Sequence, residues 1–327
     1  MTFTTPILLI TFNRPDHVRQ VLTEILKQEP RDLYVCQDGA REGNNNDRIK
    51  CQEVRDVINE LTSAYAIGHR EFTLHTLYHE KNLGCGPGPA AGISWLFEHV
   101  EMGIILEDDA VPHPDFFEYA ATLLEKYKDD ESIRAIGSMN VDTHKWGDGS
   151  YYFSMMNRNL CAWATWRRAW KDFDLYLREV SWRKLDTALK RYGCTFYERE
   201  YWLDRLDEVQ LNAQGGKSWD MQFFMSIWLN NGKGVIPNAN ISSNIGTVGE
   251  GTHQMAAGNI IDNVPTKPIL PLIYPKSDEI QSKADREFHR LYFEPQHNSF
   301  MRFVAKLNKR IKRITGHKGS WIKCKKK

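Results

Sequence analysis

Ile7-Leu8-Leu9-Ile10-Thr11-Phe12-Asn13-Arg14-Pro15 begins as a short apolar run and stops at a polar turn. Such a run reads as a strand, and Pro15 suits the first turn of a helix because its missing N–H is one the helix start leaves unpaired anyway. Val18, Val21, Leu22, Ile25 and Leu26 then fall on one helical face. The same alternation repeats over the first 110 residues. Leu33 to Gln37, Phe72 to Tyr78 and Gly103 to Leu106 are further strand candidates, each ending in a polar or Gly-rich turn. Val54, Val57, Ile58 and Leu61 mark a second helix. Ile93, Leu96 and Phe97 mark a third, after the turn Gly84-Cys85-Gly86-Pro87-Gly88-Pro89. Strands and helices taking turns specify an α/β fold with a mostly parallel sheet, whose ligands sit beyond the carboxyl ends of the strands.

Beyond Ile133 the pattern is less regular. There is an apolar run to Gly137, aromatic segments at Tyr151 to Phe153 and Trp163 to Trp170, and a charged helical stretch near 180 to 211. We take these as the second half of the same domain. Asp220 to Leu229 is a clear helix, with Met221, Phe224, Met225, Trp228 and Leu229 at helical spacing and Asn230-Asn231-Gly232 to end it. The Pro-rich stretch Pro265 to Pro275 is expected to be a linker or wrapping arm.

Composition sets the class. In 327 residues, 41% are hydrophobic and 26% charged, which is globular rather than disordered. No run approaches the roughly 20 apolar residues that span a bilayer, and Met1 to Pro6 lacks the marks of a secretory signal, so a cytoplasmic chain is expected. Cys36, Cys51, Cys85, Cys161, Cys194 and Cys324 are scattered without zinc-ligand spacing and are expected to be reduced thiols. The net charge of +1 conceals an asymmetry: of the 43 Lys and Arg residues, 11 fall in residues 298–327, which hold no acid. The remaining 32 face 42 acids, so an acidic body carries a basic tail.

That tail places Phe300, Phe303, Val304, Leu307, Ile311 and Ile314 on one face of a basic amphipathic helix. Such a helix suits an anionic membrane surface, with Trp321 and Lys325 to Lys327 as further contacts. Packing on the domain is the alternative, and no nucleic acid is expected.

Chemistry concentrates at strand ends. Glu107-Asp108-Asp109 crowds three carboxylates after a buried strand, and such crowding is relieved by Mg²⁺ or Mn²⁺, which prefer carboxylate and phosphate oxygens. A solvated acidic turn, with Asp115 capping the next helix, is the competing reading. Asp38 ends the second strand, where a carboxylate can accept the imide N–H of uracil while Gly39 lets the backbone turn; a plain Asp-Gly turn is the alternative. Arg14 can reach a base or diphosphate. His79 and Asn82 offer polar groups beside the Gly84 turn. Asp220, next to Trp219, suits a general base toward a hydroxyl, or an N-cap.

Taken in order, Ile7 to Pro15, Val35-Cys36-Gln37-Asp38-Gly39, Asn82-Leu83-Gly84 and Ile104 to Asp109 resemble glycosyltransferases of the GT-A fold. The opening strand and helix resemble glycosyltransferase family 2. The run Glu107 to Phe117 resembles the region around the metal motif of the N-acetylglucosaminyltransferase I family. The resemblance spans about residues 4 to 255 and is loose after the metal motif, and 143–216 do not align. It implies a GT-A (Rossmann-like) mixed, mostly parallel sheet flanked by helices. Residues 1–130 would form a nucleotide-sugar-binding half, 131–255 an acceptor and catalytic half, 256–297 a linker or wrapping arm, and 298–327 the basic tail.

It further implies an inverting, divalent-metal-dependent transfer from a UDP-sugar to a hydroxyl of a glycan or lipid-linked acceptor, by a hexosyl- or N-acetylhexosaminyltransferase peripheral to the inner face of a membrane. By the same carry-over Asp109 is the direct metal ligand, Asp108 contacts ribose or the metal's water shell, and Glu107 supports both. Asp38 binds uracil, Arg14 and His79 touch the nucleotide, Asp220 is the base, and Ile241 to His253 closes over the donor. A sugar nucleotidyltransferase shares the sheet and carboxylates but carries a Gly-rich basic first loop, where this chain has Asn13-Arg14-Pro15-Asp16. A non-catalytic membrane-surface adaptor leaves the ordered strand-end residues unexplained.

Overall fold

The structure is a computed structural model that describes residues 2–141, 144–156, 162–212, 218–246, 263–293 and 299–315, with backbone alone over 299–302. Cys161, Cys324, Trp321 and the Lys325 to Lys327 run lie outside the described residues, as does the segment 247–253 of the expected closing loop.

The first strands and helices alternate as the sequence predicts: β1 (Ile7–Thr11), α1 (Pro15–Leu26), β2 (Asp32–Gln37), α2 (Asn45–Gly68), β3 (Thr73–Tyr78), α3 (Pro87–His99) and β4 (Met102–Glu107). After them come β5 (Ala110–Pro112), α4 (Asp115–Lys126), β6 (Ile133–Gly137), β7 (Tyr151–Ser154), β8 (Ala162–Trp166) and α5 (Arg167–Trp170). The remainder is α6 (Trp182–Arg191), α7 (Phe196–Leu211), α8 (Asp220–Leu229), β9 (Lys233–Pro237), β10 (Ser242–Asn244), α9 (Ser282–Tyr292) and α10 (Ser299–Thr315).

Eight strands form one mixed sheet in the order β3-β2-β1-β4-β8-β6-β9-β7, and β5 pairs separately with β10. β3, β2, β1 and β4 are mutually parallel. β8 is antiparallel to both β4 and β6, β9 is parallel to β6, and β7 is antiparallel to β9. The chain runs outward from β1 to β3 on one side, then returns to place β4 on the other side of β1. That reversal makes the carboxyl ends of β1 and β4 the topological switch point of the sheet, the place where open α/β sheets receive ligands.

Helices cover both faces, which is why the central strands are apolar without alternation. Ile7, Leu9, Leu33, Val35, Ile104 and Leu106 pack with Val18 and Leu22 of α1, Val54 of α2 and Phe116 of α4. Leu8, Ile10, Tyr34, Cys36 and Ile105 pack on the opposite face with Ile93 and Leu96 of α3, Leu203 of α7 and Phe223 of α8.

Residues 263–281 wrap the sheet's far end without regular structure. Asp115 does not cap α4; its Oδ2 accepts from the backbone N–H of Ile269 and Leu270 at 2.8 and 3.1 Å and pins this arm. The arm ends sooner than the sequence reading placed it, because Ser282–Tyr292 is helical, burying Ala284 and Phe288 and bonding the Ser154 hydroxyl and Met155 N–H to Asp285.

The tail helix forms as its periodicity predicts, but Arg310 and Arg313 point at the protein's own acidic face. Arg313 reaches Glu200, Asp204 and Asp207 of α7 at 2.6, 2.8 and 2.7 Å. Arg310 pairs with Asp186 of α6 and with Glu200, at 2.6 and 2.5 Å. Lys309 pairs with Asp204 at 2.9 Å. These acids help make the body negative, so much of the charge asymmetry is resolved within one molecule. Among the described residues no helix is long and apolar enough to cross a membrane.

Candidate active site

Arg14 leaves β1 immediately before Pro15, and the proline ring restricts its backbone, which adopts φ −122° and ψ 80°. From there the guanidinium reaches the residues that follow β4. Its Nη1 lies 3.1 Å from Asp109 Oδ2 and 3.4 Å from Asp108 Oδ1. The other Asp108 oxygen accepts the Phe12 backbone N–H at 3.2 Å, which ties the end of β4 to the end of β1.

Charge here is unbalanced. Burial raises the pKa of Glu107 well above the usual carboxylate range, with Asp109, Asp108 and Asp220 adding to the rise and a hydrogen bond from the Trp219 side chain opposing it. Burial likewise pushes Asp108 up to about 7, against the pull of Arg14. Burial works against the charge on Arg14, yet Asp108, Asp109 and Glu107 outweigh it and raise its pKa. One cation thus answers to several carboxylates.

Two carboxylate oxygens in the group, Asp109 Oδ1 and Asp220 Oδ1, are buried and have no hydrogen-bond partner. Asp220 occupies the first position of α8 and its side chain does not cap the helix. Trp219, stacked on Trp163 with ring centroids 5.5 Å apart, fixes the approach to it. The exit from Asp109 is equally constrained: its carbonyl accepts Ile245 N–H at 2.8 Å, and β5 pairs with β10 from Ala110 and Asn244 onward. A Cβ on Gly246 would lie 2.1 Å from Asp109 Oδ2, so the turn after β10 rests directly on the carboxylate.

Asp38, His79 and Asn82 form a second group at the ends of β2 and β3. Asp38 Oδ1 accepts the N–H of Gly39 and Leu83 at 2.9 and 2.8 Å, and Oδ2 accepts Gly84 N–H and Asn82 Nδ2 at 2.9 and 3.0 Å. A carboxylate has about four acceptor sites, so this loop occupies them. Burial nevertheless raises the Asp38 pKa, against those bonds and the nearby His79. Gly39 is required by close approach: a Cβ there would stand 2.5 Å from the Lys81 backbone. Gly84, at φ +87°, supplies the turn. His79 Nε2 lies 3.8 Å from Cys36 Sγ, on the Asp38 side.

The two groups flank the Gly84–Gly86 turn that leads into α3, and Cys85 within it lies in reach of the charges of Glu107, Asp220 and Asp38. Sequence reasoning passed over His17. It stands one helical turn after Arg14, its Nδ1 is buried without a partner, and burial and then Arg14 lower its pKa, while Asp109 acts the other way. Its spacing from Arg14 on α1 was the available signal.

Among the described residues, no three His, Cys, Asp or Glu side chains stand together as a metal cage. The residues fit a cation held differently. Mg²⁺-type ions commonly take one or two carboxylates and complete their shell with substrate phosphate and water, and Asp109 Oδ1 is a buried acceptor with nothing to accept.

No protein-family model and no curated protein sequence matches the chain. Among solved structures it is similar to the mannosyltransferase PcManGT from Pyrobaculum calidifontis in complex with GDP-Man and Mn²⁺, at 13% identity over 53% of this chain and 47% of that one, with a TM-score of 0.35. The chain therefore spans about half the length of that protein. It is also similar to a putative glucose-1-phosphate thymidylyltransferase from Bacillus anthracis, at 11% identity over 62% of this chain and 83% of that one, with a TM-score of 0.30. The functional assignment rests on the residues themselves.

Proposed function

We propose that the chain is an inverting, divalent-metal-dependent glycosyltransferase that moves a sugar from a nucleotide diphosphate sugar, a UDP-sugar, to a hydroxyl of a glycan or lipid-linked acceptor. What carries the proposal is the carboxylate group at the β1/β4 switch point, where Asp109 Oδ1 and Asp220 Oδ1 are buried without partners. Unpaired buried acceptors are costly, and a substrate-borne cation and an acceptor hydroxyl would satisfy them.

Asp109 would hold the metal, with Asp108 and Glu107 adding negative charge around it, and the metal when bound supplies Lewis-acid stabilisation of the departing diphosphate. Arg14 would bind that diphosphate from β1. Asp220 would take the proton of the attacking hydroxyl, and a single displacement by that hydroxyl inverts the anomeric carbon. Asp38, Asn82 and His79 would shape the base subsite, Asp38 acting through the Asn82–Gly84 loop it holds. A donor lying across the Gly84–Gly86 turn would then join the two groups. Contact with an anionic membrane surface would fall to Lys312 and residues 316–327, because Arg310 and Arg313 bond to α6 and α7.

The test is calorimetric titration of UDP and GDP, with and without Mn²⁺, into the wild type and Asp109→Ala, alongside product analysis. Metal-dependent UDP binding lost in Asp109→Ala is expected. Release of pyrophosphate from a nucleoside triphosphate would instead favour nucleotidyl transfer, and no nucleotide binding under any condition would sink the proposal.

A further inference from the structure

His17 lies in the first turn of α1, three residues after Arg14, and α1 packs against β5, the strand that follows Asp109. Its side chain is half-buried and its Nδ1 has no hydrogen-bond partner. Asp109 Oδ1 is also buried and unpartnered. Both groups lie within the electrostatic reach of Arg14, which bonds Asp109 Oδ2 at 3.1 Å.

An imidazole nitrogen and a carboxylate oxygen are a natural donor and acceptor, yet these two atoms do not bond to each other. Buried polar atoms without partners are uncommon, and each calls for an explanation. Two such atoms under the influence of one guanidinium, an imidazole nitrogen that can donate and a carboxylate oxygen that accepts, are explained together by a ligand that carries both a cation and an anion.

We propose that His17 is a diphosphate-binding residue: its Nδ1–H donates to a phosphoryl oxygen of the nucleotide donor, next to the contact made by Arg14, while Asp109 Oδ1 meets the donor's cation. The inference rests on the transferase proposal and adds to it a residue from α1 that acts on the diphosphate and on neither base nor sugar. Because Nδ1 has no protein partner, its loss removes no hydrogen bond within the fold. His17→Ala should therefore melt within about 2 °C of the wild type, and a merely structural histidine would not combine that result with a binding defect.

The experiment titrates UDP and UMP at saturating Mn²⁺ into the wild type, His17→Ala and His17→Asn, whose amide N–H stands near the place of Nδ1. Mn²⁺ binding without nucleotide is followed by electron paramagnetic resonance. His17→Ala should weaken UDP about tenfold, equivalent to about 1.4 kcal/mol. UMP should change less than twofold, His17→Asn should recover most of the UDP affinity, and binding of Mn²⁺ alone should be unchanged. Equal loss for UDP and UMP, no loss for either, or a fall in binding of Mn²⁺ alone would each overturn the assignment to the diphosphate. If the wild type binds UDP and only the His17 pattern fails, this inference falls alone; if the wild type binds no nucleotide, the transferase proposal falls with it.

Discussion

Replacing Arg313 with methionine removes the charge that docks the tail helix while keeping an apolar stem of similar reach. In the wild type Arg313 meets Glu200, Asp204 and Asp207 at 2.6, 2.8 and 2.7 Å, and its side chain is only 9% exposed. Removing one partner of a buried ion pair typically costs about 3 to 5 kcal/mol, because the other charge stays desolvated. Here the loss is partial. Glu200, fully buried, keeps Arg310, and Asp204 keeps Lys309, while Asp207 is half exposed and can be solvated. About 2 to 3 kcal/mol is therefore expected, which for a chain of 327 residues lowers Tm by about 3 to 5 °C. Thermal melts followed by circular dichroism measure the shift, and limited proteolysis reports whether α10, Ser299–Thr315, becomes cleavable first. A Tm within 1 °C of the wild type, with the tail equally resistant, would refute the docking of α10 through its arginines.

Acid should release the same helix. Burial acts to raise the pKa of Asp186, but Arg310 and Lys190 outweigh it and hold the group at about 2; Asp204 is also lowered, by Lys309 and Arg313 against burial. A depressed carboxylate contributes stability that is complete above its unfolded pKa near 4 and lost as pH falls through its folded value. Tail resistance to an acid-active protease should thus hold at pH 5 and fail toward pH 2; a tail equally resistant at both would contradict these pairings. Asp220→Asn should lower the rate of UDP-sugar turnover by about 100-fold or more, the usual range for losing a general base, with UDP affinity unchanged; undiminished turnover would remove Asp220 from the chemistry. In Gly246→Ala the new methyl, 2.1 Å from Asp109 Oδ2, must displace either the turn or the carboxylate. Overpacking of about 1 to 3 kcal/mol should accompany weaker Mn²⁺-dependent UDP binding, and unaltered binding with unaltered stability would show that the turn does not rest on Asp109.

Much of this fold could be read from the chain because its central strands carry their burial in their composition. Ile7 to Ile10 and Ile104 to Leu106 are apolar on both faces, and both faces are covered. The helix at Asp220–Leu229 was legible for a related reason, since periodicity and an Asn-Asn-Gly stop agreed. α9 was not. Ser282 to Tyr292 places only a few apolar residues among charged ones, after a proline-rich arm, and its helix is supported by Asp285 bonding to Ser154 and Met155, well over a hundred residues away.

The candidate site residues divide along the same line between local and non-local information. That Asp38, Glu107 to Asp109 and Asp220 stand at element ends follows from local pattern. What their oxygens bond to does not, because Asp38 is saturated by a loop from β3 while Asp109 and Asp220 each retain an unpartnered oxygen. The tail carries the lesson furthest. A basic amphipathic helix announces an anionic partner, yet nothing in its own residues says whether that partner is a membrane or a neighbouring helix. The acids of α7 supply the difference: Glu200, Asp204 and Asp207 are spaced about one helical turn apart, and a stripe of that spacing needs cations opposite it wherever it is buried. Arg310 and Arg313, themselves one turn apart on α10, meet that need, so their charge first serves the docking of α10 on α6 and α7.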